Sequence, residues 1–179
     1  MKKFFSPQSI AIIGASTKSE SIGGILVNNL LANNYHGKIY PVNPKYNQIK
    51  DLVCYPAAKD IKKEIDLCLI ATPAPTVPGI LADCATLKNP IKNFIIISAG
   101  FSETGPEGKK LEQQIADLAK KYSLRIIGPN CLGIINTQNG LNASFAPNNF
   151  LSGPIGLIAQ SGAFAAALSE AILPKRAAA

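Results

Sequence analysis

Ser9-Ile10-Ala11-Ile12-Ile13-Gly14-Ala15-Ser16-Thr17-Lys18-Ser19-Glu20-Ser21-Ile22-Gly23-Gly24 is the stretch on which the fold turns. Its first part is a short continuous apolar run stopped by glycine, the pattern of a strand buried on both faces. Its second part is a turn of small residues. Beyond the turn, Ile22, Ile25, Leu26, Leu30 and Leu31 recur at helical spacing. Strand, glycine turn and helix together make the first half of a βαβ unit. Small residues let a backbone approach a phosphate closely, and the following helix offers unpaired N–H groups and its positive dipole end to an anion. The spacing is neither GxGxxG nor a P-loop, because no GK[ST] follows.

Outward from this unit the alternation continues. Lys38 to Val42 reads as a second strand, stopped by Asn43-Pro44, and a short helix is expected over Ala57 to Lys63. Asp66 to Ala71 is a third strand, strongly apolar and therefore central. A helix should begin near Pro75 or Pro78, where proline is tolerated in a first turn, and carry Val77, Ile80, Leu81 and Cys84 inward. Phe94 to Ser98 is a fourth strand. Thr104-Gly105-Pro106-Glu107 has the form of a capping box before a helix whose stripe is Leu111, Ile115, Leu118 and Tyr122. Leu124 to Ile127 is a fifth strand. Strands separated by helices predict an α/β fold, a doubly wound parallel sheet of Rossmann-like type.

The stretch from Gly128 to Gly153 breaks the pattern. It is rich in Asn, Gly and Pro, and reads as a connector containing a hairpin or irregular loops. A new strand is expected from Ile155 to Ala159. After it Gln160-Ser161-Gly162 turns into a helix over Ala163 to Ile172, with Pro174-Lys175-Arg176 beyond. A lone strand and helix cannot build a core, so these residues are expected to open a second domain. The division expected is 1–136 for the first domain, 137–153 for the connector and 154–179 for the start of the second.

With 179 residues, 47% of them hydrophobic and 16% charged, the chain has the composition of a soluble globular protein with room for one full core. Its apolar runs are too short to span a bilayer, and no apolar h-region follows Lys2-Lys3, so a cytoplasmic location is expected. The four cysteines, Cys54, Cys68, Cys84 and Cys131, are widely spaced and form no CxxC or Cys/His cluster. Free buried thiols are expected, with no metal site. The net charge of +7 is scattered over many segments without interleaved aromatics, which argues against a nucleic-acid partner and leaves a mild attraction for anionic ligands.

Ligands of open α/β sheets bind at the carboxyl ends of the strands. Gly14 to Ser16 lies there. An NAD site places an acidic residue at the end of the second strand, whereas here Lys45 follows Asn43-Pro44. A lysine suits a phosphate on the adenosine ribose, which both coenzyme A and NADP carry. Ala71-Thr72-Pro73-Ala74-Pro75 and Ser98-Ala99-Gly100-Phe101 lie at further strand ends and lack catalytic acids or bases, as suits a long neutral chain. The single histidine, His36, sits in the turn before the second strand and is expected at the surface. No serine has a histidine and an acid arranged for triad chemistry.

Gly128-Pro129-Asn130-Cys131-Leu132-Gly133-Ile134-Ile135-Asn136 closely resembles the GPNCLG segment of the NDP-forming acyl-CoA synthetases. It is also similar to the GPNCPG segment of the succinyl-CoA synthetase α subunit. Ile10 to Ser16, Pro41 to Lys45 and Ala159 to Ala163 match the same family in the same order, so the resemblance covers essentially the whole chain. It implies a coenzyme A-binding first domain and a flavodoxin-like second one. Gly14, Ala15, Ser16 and Gly23 would line the nucleotide phosphates, and Lys45 would approach the 3′-phosphate. Thr72, Pro73, Ser98 and Ala99 would flank the cofactor arm, while Asn130 would hold the loop that closes the site.

The resemblance further implies an ADP-forming ligase of small carboxylic acids, working through an acyl phosphate and a phosphorylated histidine. ATP or ADP and Mg2+ would be held by an ATP-grasp subunit or domain in an oligomeric complete protein. Ser161 and Gly162 would point a helix N-terminus at the phosphohistidine. The chain stops before the segment that would supply that histidine, so this portion is expected to hold the cofactor without turning over alone. Two other readings stay open: a coenzyme A-binding regulatory module fused to a protein acetyltransferase, and an NADP-binding Rossmann domain.

Overall fold

A computed structural model describes residues 2–146 and 151–172, with side chains described through residue 168. The strand expected from the deciding stretch is β1 (Ser9–Ile13), and the helix behind the turn is α2 (Ile22–Ala32). A short α1 (Lys2–Phe5) precedes them. The sheet continues with β2 (Lys38–Val42), β5 (Leu67–Ile70), β6 (Asn93–Ile96) and β7 (Arg125–Ile127). All pairings are parallel, and the order across the sheet is β2-β1-β5-β6-β7. Small ribbon strands β3 (Gln48–Ile49) and β4 (Leu52–Val53) form a hairpin after β2.

The chain leaves β1 towards β2 on one side and returns past it to β5 on the other. The order therefore reverses at the β1/β5 seam, the switch point at which doubly wound sheets bind ligands. This is a Rossmann-like α/β architecture.

Alternation along each buried strand divides the core into two layers. Ala11, Ile13, Cys68, Ile70, Phe94 and Ile96 face one side, where α3 (Val77–Ala85) and α4 (Pro106–Tyr122) cover them with Leu81, Cys84 and Ile115. Ile10, Ile12, Leu67, Leu69 and Ile95 face the other, under Leu26, Val27 and Leu30 of α2. Among the described residues the only other helix on this face is the short α1, which adds Phe4. An antiparallel hairpin, β8 (Gly133–Asn136) and β9 (Leu141–Ser144), buries Leu141 and Ala143 against the same cluster. Asn29, in the middle of α2, is buried and donates from its amide nitrogen to the carbonyls of Ser144 at 2.8 Å and Ala146 at 2.9 Å.

Three local expectations need correction. Over 57–63 there is one 3-10 turn, Ala58–Asp60, rather than a helix. The capping box at Thr104 does not form. Gly105 is the N-cap of α4, the Thr104 hydroxyl turns back to the Phe101 carbonyl at 2.9 Å, and Glu107 pairs with Lys110. Residues 155–159 are not a strand. They have no ladder partner among the described residues, and Ile155 and Ile158 are 87% and 101% exposed. The helix after them, α5 (Gly162–Ile172), is present with Ser161 capping it, its hydroxyl accepting from Phe164 N–H at 3.2 Å. Residues 147–150 of the expected connector, and Pro174-Lys175-Arg176, lie outside the described residues.

The amino end is tied to the sheet by charge. Asp66, just before β5, accepts from Lys3 Nζ at 2.7 Å and from Gln8 N–H at 2.8 Å. Burial opposes ionisation here, yet the Lys3 ammonium and the Gln8 N–H together hold the carboxyl below its ordinary value. A depressed folded pKa contributes stability that is present above the unfolded value and lost as pH falls through the folded one. Because Lys3 is half exposed, Asp66→Asn should cost only about 1 kcal/mol at pH 7. In urea titrations at stepped pH the deficit should shrink below about pH 4 and vanish once the native carboxyl is protonated.

Candidate functional site

The carboxyl ends of β1, β2, β5 and β6 converge on two cavities that share Thr72. The larger, about 810 Å³, runs between the β1 and β2 ends and the start of α3. Gly14, Asn43, Lys45, Lys59, Pro73 and Asp83 are among its walls. The smaller, about 260 Å³, is lined by Ile22, Ala71, Thr72, Ile97, Ser98, Ala99, Asn130 and Phe145.

The turn after β1 is shaped by what cannot fit there. Gly14 has φ +91, and a Cβ on it would lie 2.6 Å from the Ala71 carbonyl oxygen. A Cβ on Gly23 would overlap the Gly14 carbonyl oxygen, so α2 packs directly on the turn. Ser21 caps α2, its hydroxyl accepting from Gly24 N–H at 3.2 Å and donating to the Lys18 carbonyl at 2.7 Å. The N–H groups of Ile22 and Gly23 precede the helix's own ladder and face the anion-attracting end of the dipole.

Two cations flank this end. Lys18 and Lys45 are both exposed, and Tyr46 lies between their fields. Hydrogen bonding to Thr17, then to Ser16, holds the Tyr46 phenol below its usual value, and the two lysines add to the effect. The loop after β6 has the opposite arrangement. Glu103 folds back to accept from Gly100 N–H at 2.6 Å and Phe101 N–H at 3.2 Å, and Glu112 accepts from Ser102 N–H at 3.1 Å. The Gly100 bond first of all keeps the Glu103 carboxyl below the ordinary range.

The residues singled out in the sequence fall into groups. Gly14, Lys45, Thr72 and Pro73 line the larger cavity; Thr72, Ser98, Ala99 and Asn130 line the smaller. Asn130 has φ 52 and its N–H donates to the Ser98 carbonyl at 3.0 Å, which fastens its loop over the β6 end. Ala15 is fully buried and offers only its backbone; Ser16 accepts from Lys18 N–H at 3.1 Å and shapes the turn. Gly23 is buried under the turn. Ser161 and Gly162 are lining residues of neither cavity, although a Cβ on Gly162 would come within 3.2 Å of Leu132, in the loop that carries Asn130.

Several lining residues were missed. Ile22 belongs to the helical spacing of α2 yet is 38% exposed and faces the smaller cavity, Phe145 lies in an unpatterned stretch, and Lys59 and Asp83 come from segments distant in sequence. Asn43 did carry a signal, since Asn before Pro at a strand end is a turn former. His36 is exposed and lines neither cavity, and among the described residues no cluster of His, Cys, Asp and Glu could hold a metal ion. The cysteines are free, three of them buried; burial pushes the Cys131 thiol up to about 11. No helix of the described residues is long and apolar enough to cross a membrane.

An open parallel sheet with a glycine-shaped turn, a capped helix N-terminus and flanking lysines at its switch point defines a nucleotide-cofactor-binding domain. Residues 8–137 match the family described as CoA binding domain, and the chain belongs to that family. It is 45% identical over 92% of its length to the ADP-forming acetate–CoA ligase II of Archaeoglobus fulgidus, and 44% identical over 94% to the α subunit of the ADP-forming acetate–CoA ligase I of Pyrococcus furiosus. Among solved structures it is similar to the dinucleotide-forming acetyl-coenzyme A synthetase 1 of Ca. Korarchaeum cryptofilum, solved with phosphate and ADP, at a TM-score of 0.90 and 35% identity over 96% of the chain. The chain spans 24% and 37% of the length of those two relatives and 36% of that structure. Coenzyme A is the cofactor of this domain, and the larger cavity, bordered by Gly14, Lys45 and Lys59, has the cationic edge that suits an anionic cofactor.

Proposed function

We propose that the chain is the coenzyme A-holding portion of an ADP-forming acyl-CoA ligase. The complete reaction would join a small carboxylic acid to coenzyme A, with ATP consumed and ADP and phosphate released. The observation that carries this reading is the pair of cavities meeting at Thr72, one edged by lysines and the other neutral. Together they match a cofactor with phosphates at one end and an uncharged arm at the other. Gly14, Ala15, Ser16 and Gly23 would approach the diphosphate through backbone, and Lys45 the ribose phosphate. Thr72, Pro73, Ser98, Ala99 and Asn130 would flank the arm.

The ligase reading draws on the relatives named above, which are longer than this chain. On it, 1–136 with the hairpin to residue 146 forms the coenzyme A domain, and 154–179 opens a second one. The capped N-terminus of α5 at Ser161 and Gly162 would serve a phosphorylated histidine from a segment beyond the chain. An ATP-grasp partner would hold ATP or ADP with Mg2+, and the complete protein would be an oligomer. A cytoplasmic site of action suits four cysteines held as thiols.

Calorimetry with coenzyme A, dephospho-coenzyme A and NADP tests the binding claim. Coenzyme A should bind, dephospho-coenzyme A about tenfold more weakly through loss of one charge-assisted contact, and NADP not measurably. Binding of NADP without coenzyme A would overturn the assignment and favour an oxidoreductase domain.

A further inference from the structure

Asn43 stands at the carboxyl end of β2, and different loops engage the two ends of its side-chain amide. The oxygen Oδ1 accepts from Lys45 N–H at 2.9 Å, closing an Asx turn that fixes the lysine's backbone. The nitrogen Nδ2 donates at 2.8 Å to the carbonyl of Ala15, in the turn after β1. The backbone is held as well. Asn43 N–H donates to the Tyr55 carbonyl at 2.9 Å, and the Asn43 carbonyl accepts from Tyr46 N–H at 3.4 Å and the Cys54 thiol at 3.6 Å. One planar group thus bridges the glycine turn and the lysine turn, on the wall of the larger cavity.

We propose that Asn43 is a positioning residue that sets the spacing between the diphosphate-facing turn and Lys45, so that the two phosphate-bearing parts of coenzyme A are read as one pattern. The inference rests on the coenzyme A reading above and extends it. Neither loop can fix this spacing alone. Lys45 is exposed and its side chain reaches from a turn, while Ala15 is fully buried and its carbonyl accepts from the Asn43 amide. Tyr46 braces the same junction, since its hydroxyl meets Thr17 and Ser16 of the glycine turn while its ring packs on the core beneath α2.

The test uses the 179-residue chain and its variants Asn43→Ser, Asn43→Asp and Lys45→Ala, titrated with coenzyme A and dephospho-coenzyme A. Serine keeps an oxygen for Lys45 N–H but is too short to reach Ala15. Aspartate keeps the shape, loses the donor and adds a negative charge beside the lysine turn. Asn43→Ser should bind coenzyme A about tenfold more weakly, as expected for one lost hydrogen bond, with a melting temperature within a few degrees of the parent, and Asn43→Asp should bind more weakly still. Their preference for coenzyme A over dephospho-coenzyme A should fall towards that of Lys45→Ala, and Asn43→Ser added to Lys45→Ala should cost less than the sum of the two. A preference kept intact in both Asn43 variants, whatever their stability, would overturn the positioning role and leave coenzyme A binding standing. Equal affinity of the parent for the two ligands would overturn it too, by removing the ribose-phosphate contact. Failure of the parent to bind coenzyme A would instead overturn the reading of the site, and this inference with it.

Discussion

Alanine at position 23 should leave a chain destabilised by about 1–3 kcal/mol that binds coenzyme A at least a hundredfold more weakly. The added Cβ would overlap the Gly14 carbonyl oxygen and stand 3.1 Å from the Ala15 Cα. Both neighbours are backbone, so neither can swing aside. Relief requires α2 to move outward, and the Gly14–Lys18 turn would lose its close approach to the helix N-terminus. Urea denaturation measures the stability and calorimetry the affinity. Gly79 in α3 supplies the control: nothing lies within 4 Å of a Cβ there, and alanine should raise stability by up to about 1 kcal/mol. Unchanged coenzyme A affinity in Gly23→Ala would show that close packing of α2 is not what builds the site.

Asn29→Ala should cost about 2–4 kcal/mol, although alanine favours the helix. The substitution removes the donor from two carbonyls, Ser144 and Ala146, on a hairpin whose residues 141–144 are buried. Each acceptor left without a partner carries a desolvation cost of about 1–3 kcal/mol. The effect should reach the site, because Phe145 sits between those two carbonyls in sequence and lines the smaller cavity. Hydrogen exchange should show β8 and β9 opening well before the parallel sheet. Simultaneous loss of protection in all strands would instead place the hairpin inside the same cooperative unit.

The parallel sheet was legible because its signals are local. Runs such as Ile10 to Ile13 and Leu67 to Ile70 are apolar at every position, and glycine, proline or asparagine ends them. The glycine turn and the lysine after β2 could be read from residue type for the same reason. What escaped depended on partners distant in sequence. Residues 155–159 have strand composition, yet composition supplies no neighbouring strand. Thr104 and Glu107 have capping-box spacing, but Phe101 and Lys110 offered them other partners. The hairpin at 133–144 was legible only as one alternative for the connector, because its docking under α2 depends on Leu141, Ala143 and the distant Asn29. Asn29 is a buried polar residue in an apolar stripe, and that irregularity was the available clue. In the site, Phe145, Lys59 and Asp83 arrive from three different segments, a convergence that no spacing rule contains.

The carboxylate that Glu103 lays across Gly100 and Phe101 has a bearing on which way a ligand can lie. Two loops at this edge of the sheet offer backbone N–H groups to an anion, one after β1 and one after β6. The second is saturated by the protein's own acid, and its charge repels any phosphate brought near. The first is edged by Lys18 and Lys45. On the coenzyme A reading proposed above, the sheet edge would act as a compass, drawing the cofactor's charged end over β1 and turning its neutral tail towards β6.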